Sequence, residues 1–220
     1  MLPTPDLSHL RAEDYNHVYE PAEDTFILLD ALEQDAEQLK SSKPRIALEI
    51  GSGSGCVSCF LGSILGPSET LYLCTDINPH ACKCSIASGR QNKVPLEVLR
   101  TSLAHPLIGR LHNSVDIILF NPPYVPTLYD EALGAQENTD VEGSWAGGQD
   151  GMAITDQFLP HIADLLSPHG RFYLVAIAQN NVSDIQRRMQ ENHALRSRPS
   201  ATRWRRAPVG DTLYKDFMIL

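Results

Sequence analysis

A glycine-spaced turn caught between an apolar strand and an apolar helix constrains this chain most. Ile46-Ala47-Leu48-Glu49-Ile50 reads as a short buried strand, Gly51-Ser52-Gly53-Ser54-Gly55 as the turn, and residues 56–65 as an apolar helix stopped by Gly66-Pro67. A strand that feeds straight into a helix begins a crossover unit, and such units build parallel sheets. The chain repeats the pattern. Helical spacing runs over 20–40, 79–91, 104–111, 152–166 and 182–192, and strands over 71–77, 96–99, 115–120 and 171–178. Two weaker strands, 194–205 and 212–220, read as a closing antiparallel hairpin. The expectation is an α/β fold in which a seven-stranded, mostly parallel, doubly wound sheet ends in a C-terminal antiparallel hairpin. Residues 1–18 read as an irregular leading segment, 167–170 as a turn and 125–150 as an insertion without period, longer than ordinary connections and of the kind that tends to serve function. No linker or repeat divides the 220 residues, so one domain is expected.

Charge narrows the partners. The net charge is -9, yet from Asp184 onward eight Lys or Arg face four Asp or Glu, so the acidity lies in the preceding body. An acidic body repels a phosphate backbone, which makes duplex nucleic acid an unlikely ligand. The basic tail is expected to be a solvated hairpin face. No apolar run approaches the roughly 20 residues of a membrane span, and Met1-Leu2-Pro3-Thr4-Pro5 offers no signal-peptide pattern, so a cytoplasmic location, with the nucleus as a second compartment, is expected. Cys56-x-x-Cys59 and Cys82-x-Cys84 could suggest zinc, yet both pairs lie in stretches that read as helix starts and no matching second pair has finger-like spacing, so these four and Cys74 read as free thiols, with no metal expected. The histidines, His80 and His161 among them, form no constellation in the sequence.

The turn itself discriminates between ligands. A phosphate-binding P-loop needs Gly-Lys-Ser/Thr at its end, and no lysine follows Gly55. A dinucleotide turn wants a glycine where Cys56 stands. What is present is Glu49-Ile50-Gly51-Ser52-Gly53-Ser54-Gly55, an acid two residues before the first glycine. This resembles motif I of the Rossmann-like class I methyltransferases, whose S-adenosyl-L-methionine carries cationic ammonium and sulfonium groups instead of a pyrophosphate. Asp76 follows the second strand, placed to accept hydrogen bonds from ribose hydroxyls, with Ile77 beside it to pack on adenine.

After the fourth strand stands Asn121-Pro122-Pro123-Tyr124, a turn stiffened by two fixed φ angles. It resembles motif IV of enzymes that methylate a planar amino nitrogen: adenine, cytosine or a glutamine amide. The lone pair of such a nitrogen is delocalised. Two acceptors, the Asn121 side-chain oxygen and the Pro122 carbonyl, can hold its two hydrogens and aim the lone pair, while Tyr124 stacks on the flat group. No strong base is required.

Three blocks, Tyr19-Glu20-Pro21-Ala22-Glu23-Asp24-Thr25, Asn121-Pro122-Pro123-Tyr124-Val125-Pro126 and Gly147-Gly148-Gln149-Asp150-Gly151, resemble those of the HemK-type protein glutamine methyltransferases, from about residue 15 to 180. The missing N-terminal helical domain points to the short eukaryotic and archaeal branch. The resemblance implies methylation of the glutamine in the Gly-Gly-Gln motif of the translation release factor. It also implies a heterodimer with a small zinc-binding activator protein. By position, Thr25, Glu49, Gly51, Gly53, Asp76, Ile77, Ser102, Leu103 and Asn121 would hold the cofactor. Asn121, Pro122, Pro123, Tyr124 and Val125 would hold the substrate, with Asn121, Pro122 and Tyr124 in the chemistry. Ser102-Leu103 departs from the family's Asp-Leu, so weaker cofactor affinity is expected, and the C-terminal block matches poorly. Adenine methylation, lysine methylation of histones and a cofactor-binding scaffold without turnover are the other readings. Residues 96–99 would be an exposed edge strand, with Leu96, Val98 and Leu99 inviting another chain; coverage by a helix or loop of this chain is equally open. Trp145 and Gly147-Gly148 suggest a shaped lid.

Overall fold

A computed structural model describes residues 2–125, 148, 150–193, 195–196, 198–206 and 212–219. Helices α1 (Glu23–Gln34) and α2 (Ala36–Ser42) precede strand β1 (Ile46–Ile50), followed by α3 (Cys56–Leu65), β2 (Leu71–Asp76), α4 (Pro79–Gln91) and β3 (Leu96–Arg100). Then come β4 (Val115–Phe120), α5 (Ala153–Leu165), β5 (Leu166–Ile177), α6 (Val182–His193), β6 (Arg198–Arg206) and β7 (Thr212–Ile219). The strands form one seven-stranded sheet in the order β3-β2-β1-β4-β5-β7-β6. β1 pairs in parallel with β2 and β4, β2 with β3, and β4 with β5, whereas β7 runs antiparallel to β5 and β6. The expected sheet and hairpin are present, and β3 is an edge strand.

Side chains alternate between two cores. Ala47, Ile117, Leu119, Tyr173 and Val175 face α1, α2 and α3, while Leu48, Ile50, Ile118, Phe120, Phe172 and Leu174 face α5 and α6. A strand buried on both faces is apolar at successive positions, which is why β4 and β5 read as continuous runs. The order reverses at β1, whose neighbours β2 and β4 diverge to opposite sides, and the crevice at such a switch point is where α/β sheets bind ligands. Among the described residues no helix is long and apolar enough to cross a membrane.

Three sequence expectations need correction. The helix expected over 20–40 starts at Glu23 and is broken at Asp35. The buried Asp35 carboxylate accepts the Tyr173 hydroxyl at 2.9 Å and pairs with Arg171 at 3.5 Å, so tertiary bonding overrides local propensity there. Residues 104–111 form successive turns instead of a helix, with Leu107 N–H bonding Ala104 C=O and Arg110 N–H bonding Leu107 C=O. Pro106 lacks an N–H and Gly109 weakens the helix further. The turn expected at 167–170 is instead part of β5, taken up as a register shift between Leu166 and Arg171 opposite Val115 and Ile117.

The Asp35 contact is testable. Tyr173→Phe removes one donor from a buried carboxylate, and should cost about 1–3 kcal/mol, read as a lower urea midpoint at unchanged m-value. An unchanged midpoint would mean that Arg171 alone satisfies Asp35.

Candidate active site

The first three parallel strands used by the site end side by side. β1 delivers Glu49 and the glycine turn, β2 delivers Asp76, and β4 delivers Asn121-Pro122-Pro123-Tyr124. The turn's backbone is held by β2, with Gly51 N–H and Ser52 N–H bonding the Thr75 carbonyl at 2.8 and 3.1 Å. Gly51 and Gly53 have φ of +68° and +53°, and a Cβ at either would meet nothing within 4 Å. That bare surface is what a ligand approaching the backbone requires. On the other side the turn is packed tight, since the Ser52 and Ser85 hydroxyls lie 2.8 Å apart and Ser85 also donates to the Gly53 carbonyl.

Glu49 and Asp76 have local partners that the sequence did not reveal. The Glu49 carboxylate, buried, accepts the Ser58 N–H at 3.0 Å and the Ser58 hydroxyl, and the Cys74 thiol donates to that hydroxyl at 3.3 Å. It thereby fastens the start of α3 to β1. Burial pushes its pKa up to about 8, against the opposing Ser58 hydrogen bonds. Asp76 Oδ2 accepts the Gly53 N–H at 2.9 Å and Oδ1 the Asn78 N–H at 2.8 Å, and burial raises its pKa too. Ile77, 43% exposed, leaves a branched apolar side chain open beside it. Thr25 is buried with its hydroxyl accepting the Ala22 N–H. Ser102 is exposed, and Leu103 takes a left-handed φ of 50° and packs on the α5 core.

The Asn121-Pro122-Pro123-Tyr124 turn is organised by a residue absent from the sequence-based site, Asp24. Its carboxylate, 2% exposed, accepts the Tyr124 hydroxyl at 2.8 Å, the Tyr19 hydroxyl at 3.0 Å and the Asn121 Nδ2 at 3.3 Å. Burial and this carboxylate raise the pKa of both tyrosines well above the ordinary phenol range. Among the described residues Asn121 Oδ1 is buried and without a partner. An amide can be placed either way round, but the reverse would set two oxygens against each other, so the Asp24 contact fixes Oδ1 as the free acceptor. Pro122 is buried, and Pro123, Tyr124 and Val125 are half-buried. The expected stacking platform is therefore a ring anchored by its hydroxyl.

A second missed residue, Asn180, sits beyond the end of β5. Its Nδ2 donates to the Tyr124 and Asp150 carbonyls, both at 3.0 Å, and its Oδ1 accepts the Ile177 N–H. This cross-tie joins the two ends of the insertion. Gly151 makes it possible: at φ +73°, a Cβ there would lie 2.1 Å from the Tyr124 oxygen. Pro126, Trp145, Gly147 and Gln149, and with them the expected lid, lie outside the described residues. All five cysteines are buried free thiols.

The model of the methyltransferase small domain family matches residues 24–136, which spans all three strand-end elements. The chain is 48% identical over 187 residues, 85% of its length and 84% of the other's, to methyltransferase HEMK2 of Homo sapiens. It is 41% identical over 203 residues, 87% and 86% of the two chains, to the eRF1 methyltransferase catalytic subunit mtq2 of Schizosaccharomyces pombe. The chain belongs to the HemK-type methyltransferases. Its fold matches the Thermus thermophilus 16S rRNA N2 G1207 methyltransferase RsmC, solved with S-adenosylmethionine and guanosine, at a TM-score of 0.58 and 16% identity over 91% of this chain and 43% of that one. As a HemK-type enzyme it is an S-adenosyl-L-methionine-dependent methyltransferase. The residues present fit that cofactor: the two open glycines, the strand-end carboxylate of Asp76 and the exposed Ile77 would supply backbone access, ribose acceptors and an apolar face.

Two measurements test this geometry. Because the folded pKa of Glu49 lies above its unfolded value, its protonated form stabilises the fold below about pH 4.5, and that contribution drains away as pH rises towards 8. Unfolding midpoints of the wild type should thus fall relative to Glu49→Gln between those limits, whereas a constant gap would contradict the buried, protonated state. Gly151→Ala should lower activity at least about tenfold by pushing the Tyr124 carbonyl out of place, with a wild-type rate indicating that the cross-tie does not set the turn.

Proposed function

We propose that this enzyme transfers a methyl group to the side-chain amide nitrogen of the glutamine in the Gly-Gly-Gln motif of the translation release factor. The observation that carries the reading is the buried Asn121 Oδ1, unpartnered among the described residues while the Asp24 contact holds the Nδ2 end of the same carboxamide. An amide NH₂ offers two hydrogens to two acceptors, Asn121 Oδ1 and the Pro122 carbonyl. Binding both pushes the nitrogen toward sp³ character, which takes its lone pair out of amide resonance and aims it. The bound cofactor supplies an electrophilic methyl group on sulfur. The methylated nitrogen then sheds a proton without help from a strong base.

The tyrosines argue against a lysine acceptor. A lysine ammonium must lose its proton before it attacks. Tyr124 donates its hydroxyl to Asp24 and its pKa is raised, so it is a poor base. Adenine shares the amide's two hydrogens, but an acidic body gives a nucleic acid little to hold. The release factor as substrate is supported by the name of the fission yeast relative, which also calls that protein a catalytic subunit. A partner subunit, a small zinc-binding activator, is proposed accordingly. The edge strand β3, with Leu96, Val98 and Leu99 half-buried, is a site where it can pair.

The test is transfer of labelled methyl from the cofactor to recombinant release factor with the activator present. Label should require the acceptor glutamine and fall by about 10²–10³-fold in Asn121→Ala. Label that persists when that glutamine is replaced by alanine would overturn the assignment.

A further inference from the structure

We infer that Asp24 is the positioning residue of the methyl transfer, setting which end of the Asn121 carboxamide meets the acceptor. The inference rests on the reading of Asn121 as the acceptor clamp. An acid in a helix's first turn is ordinarily satisfied by the N-terminal dipole and water, at the surface. Asp24 is instead 2% exposed, and burying a carboxylate is costly unless donors surround it. Its donors here are neutral: the Tyr19 and Tyr124 hydroxyls, the Asn121 Nδ2 and the Thr25 N–H. Two of the four come from the Asn121-Pro122-Pro123-Tyr124 turn, so one carboxylate locks both the carboxamide and the ring of that turn to α1.

The consequence is chemical as well as steric. A negative acceptor on Nδ2 pulls the carboxamide toward the resonance form with more charge on Oδ1, and in a water-poor site that strengthens the bond Oδ1 makes. Oδ1 is also the group left buried without a partner, at a cost that an acceptor's N–H would relieve. Without Asp24 the carboxamide could turn over and present its NH₂, a donor facing a donor. Asp24 touches neither substrate nor cofactor in this scheme; it acts through Asn121.

The test compares Asp24→Asn, Asn121→Asp and the double variant in the activator complex, measuring kcat, both KM values, thermal midpoint and the Asn121 side-chain amide resonances by ¹⁵N-labelled NMR. Asp24→Asn should lower kcat by about 10- to 100-fold, with both KM values within about threefold and a protein that stays folded with a cooperative transition at a moderately lower midpoint. Asn121→Asp alone sets two carboxylates together and should be at least as impaired. The double variant restores a donor–acceptor pair with an oxygen facing the acceptor, and should regain at least tenfold over Asn121→Asp. The Asn121 Nδ2 protons should move upfield in Asp24→Asn as their charged acceptor is lost. Wild-type kcat in Asp24→Asn, or a loss matched by a collapse of the midpoint with unshifted amide resonances, overturns the inference. If the wild type fails to methylate release factor at all, the glutamine reading falls, while the amide resonances still decide whether Asp24 orients Asn121.

Discussion

The buried carboxylate of Asp24 is the contact on which the site depends. It ties the first turn of α1 to a loop 100 positions later, and through Tyr124 and Asn121 it determines what that loop can offer a substrate. Proline rigidity alone would fix the backbone of Pro122 and Pro123 but leave the carboxamide free to turn. The carboxylate removes that freedom. Its own burial is tolerated because hydroxyl and amide donors surround it, so binding geometry and local stability draw on the same bonds.

Three further ties hold the remaining parts in place, each using a polar side chain to join strand ends. Glu49 fastens α3 to β1 through Ser58, Asp76 holds the glycine turn through the Gly53 N–H, and Asn180 draws the two ends of the insertion together. The two acids thus shape the cofactor turn before any ligand arrives. Raised pKa values at both reflect desolvation, which favours their neutral forms, so they act as hydrogen-bond anchors for the turn. A serine at position 102 adds no charge to this set, and it is exposed.

Much of this was legible from periodicity and punctuation. The glycine turn, the apolar strands and the closing hairpin follow from local pattern, and the mostly parallel, doubly wound class follows from the alternation of strand and helix, while the strand order comes from the structure. What escaped was tertiary. Asp24 stands in the first turn of α1, and nothing in the spacing marks Asn121 and Tyr124, about 100 positions on, as its donors. Ser58 is a polar position in an apolar helix and Asn180 lies past a strand end, and neither carries a local mark of its partners. The break at Asp35 has the same origin, since Tyr173 reaches it from 138 positions away. Pattern reading finds the elements; long-range polar bonds are visible only once the elements are packed.

The most direct test of the central claim is a crystal structure of the enzyme with S-adenosylhomocysteine and a peptide carrying the Gly-Gly-Gln motif. The account predicts the glutamine Nε2 within about 2.7–3.2 Å of both Asn121 Oδ1 and the Pro122 carbonyl, with Asn121 Nδ2 still on Asp24. A glutamine bound through its carbonyl oxygen to Asn121 Nδ2, with Asp24 turned away, would contradict it.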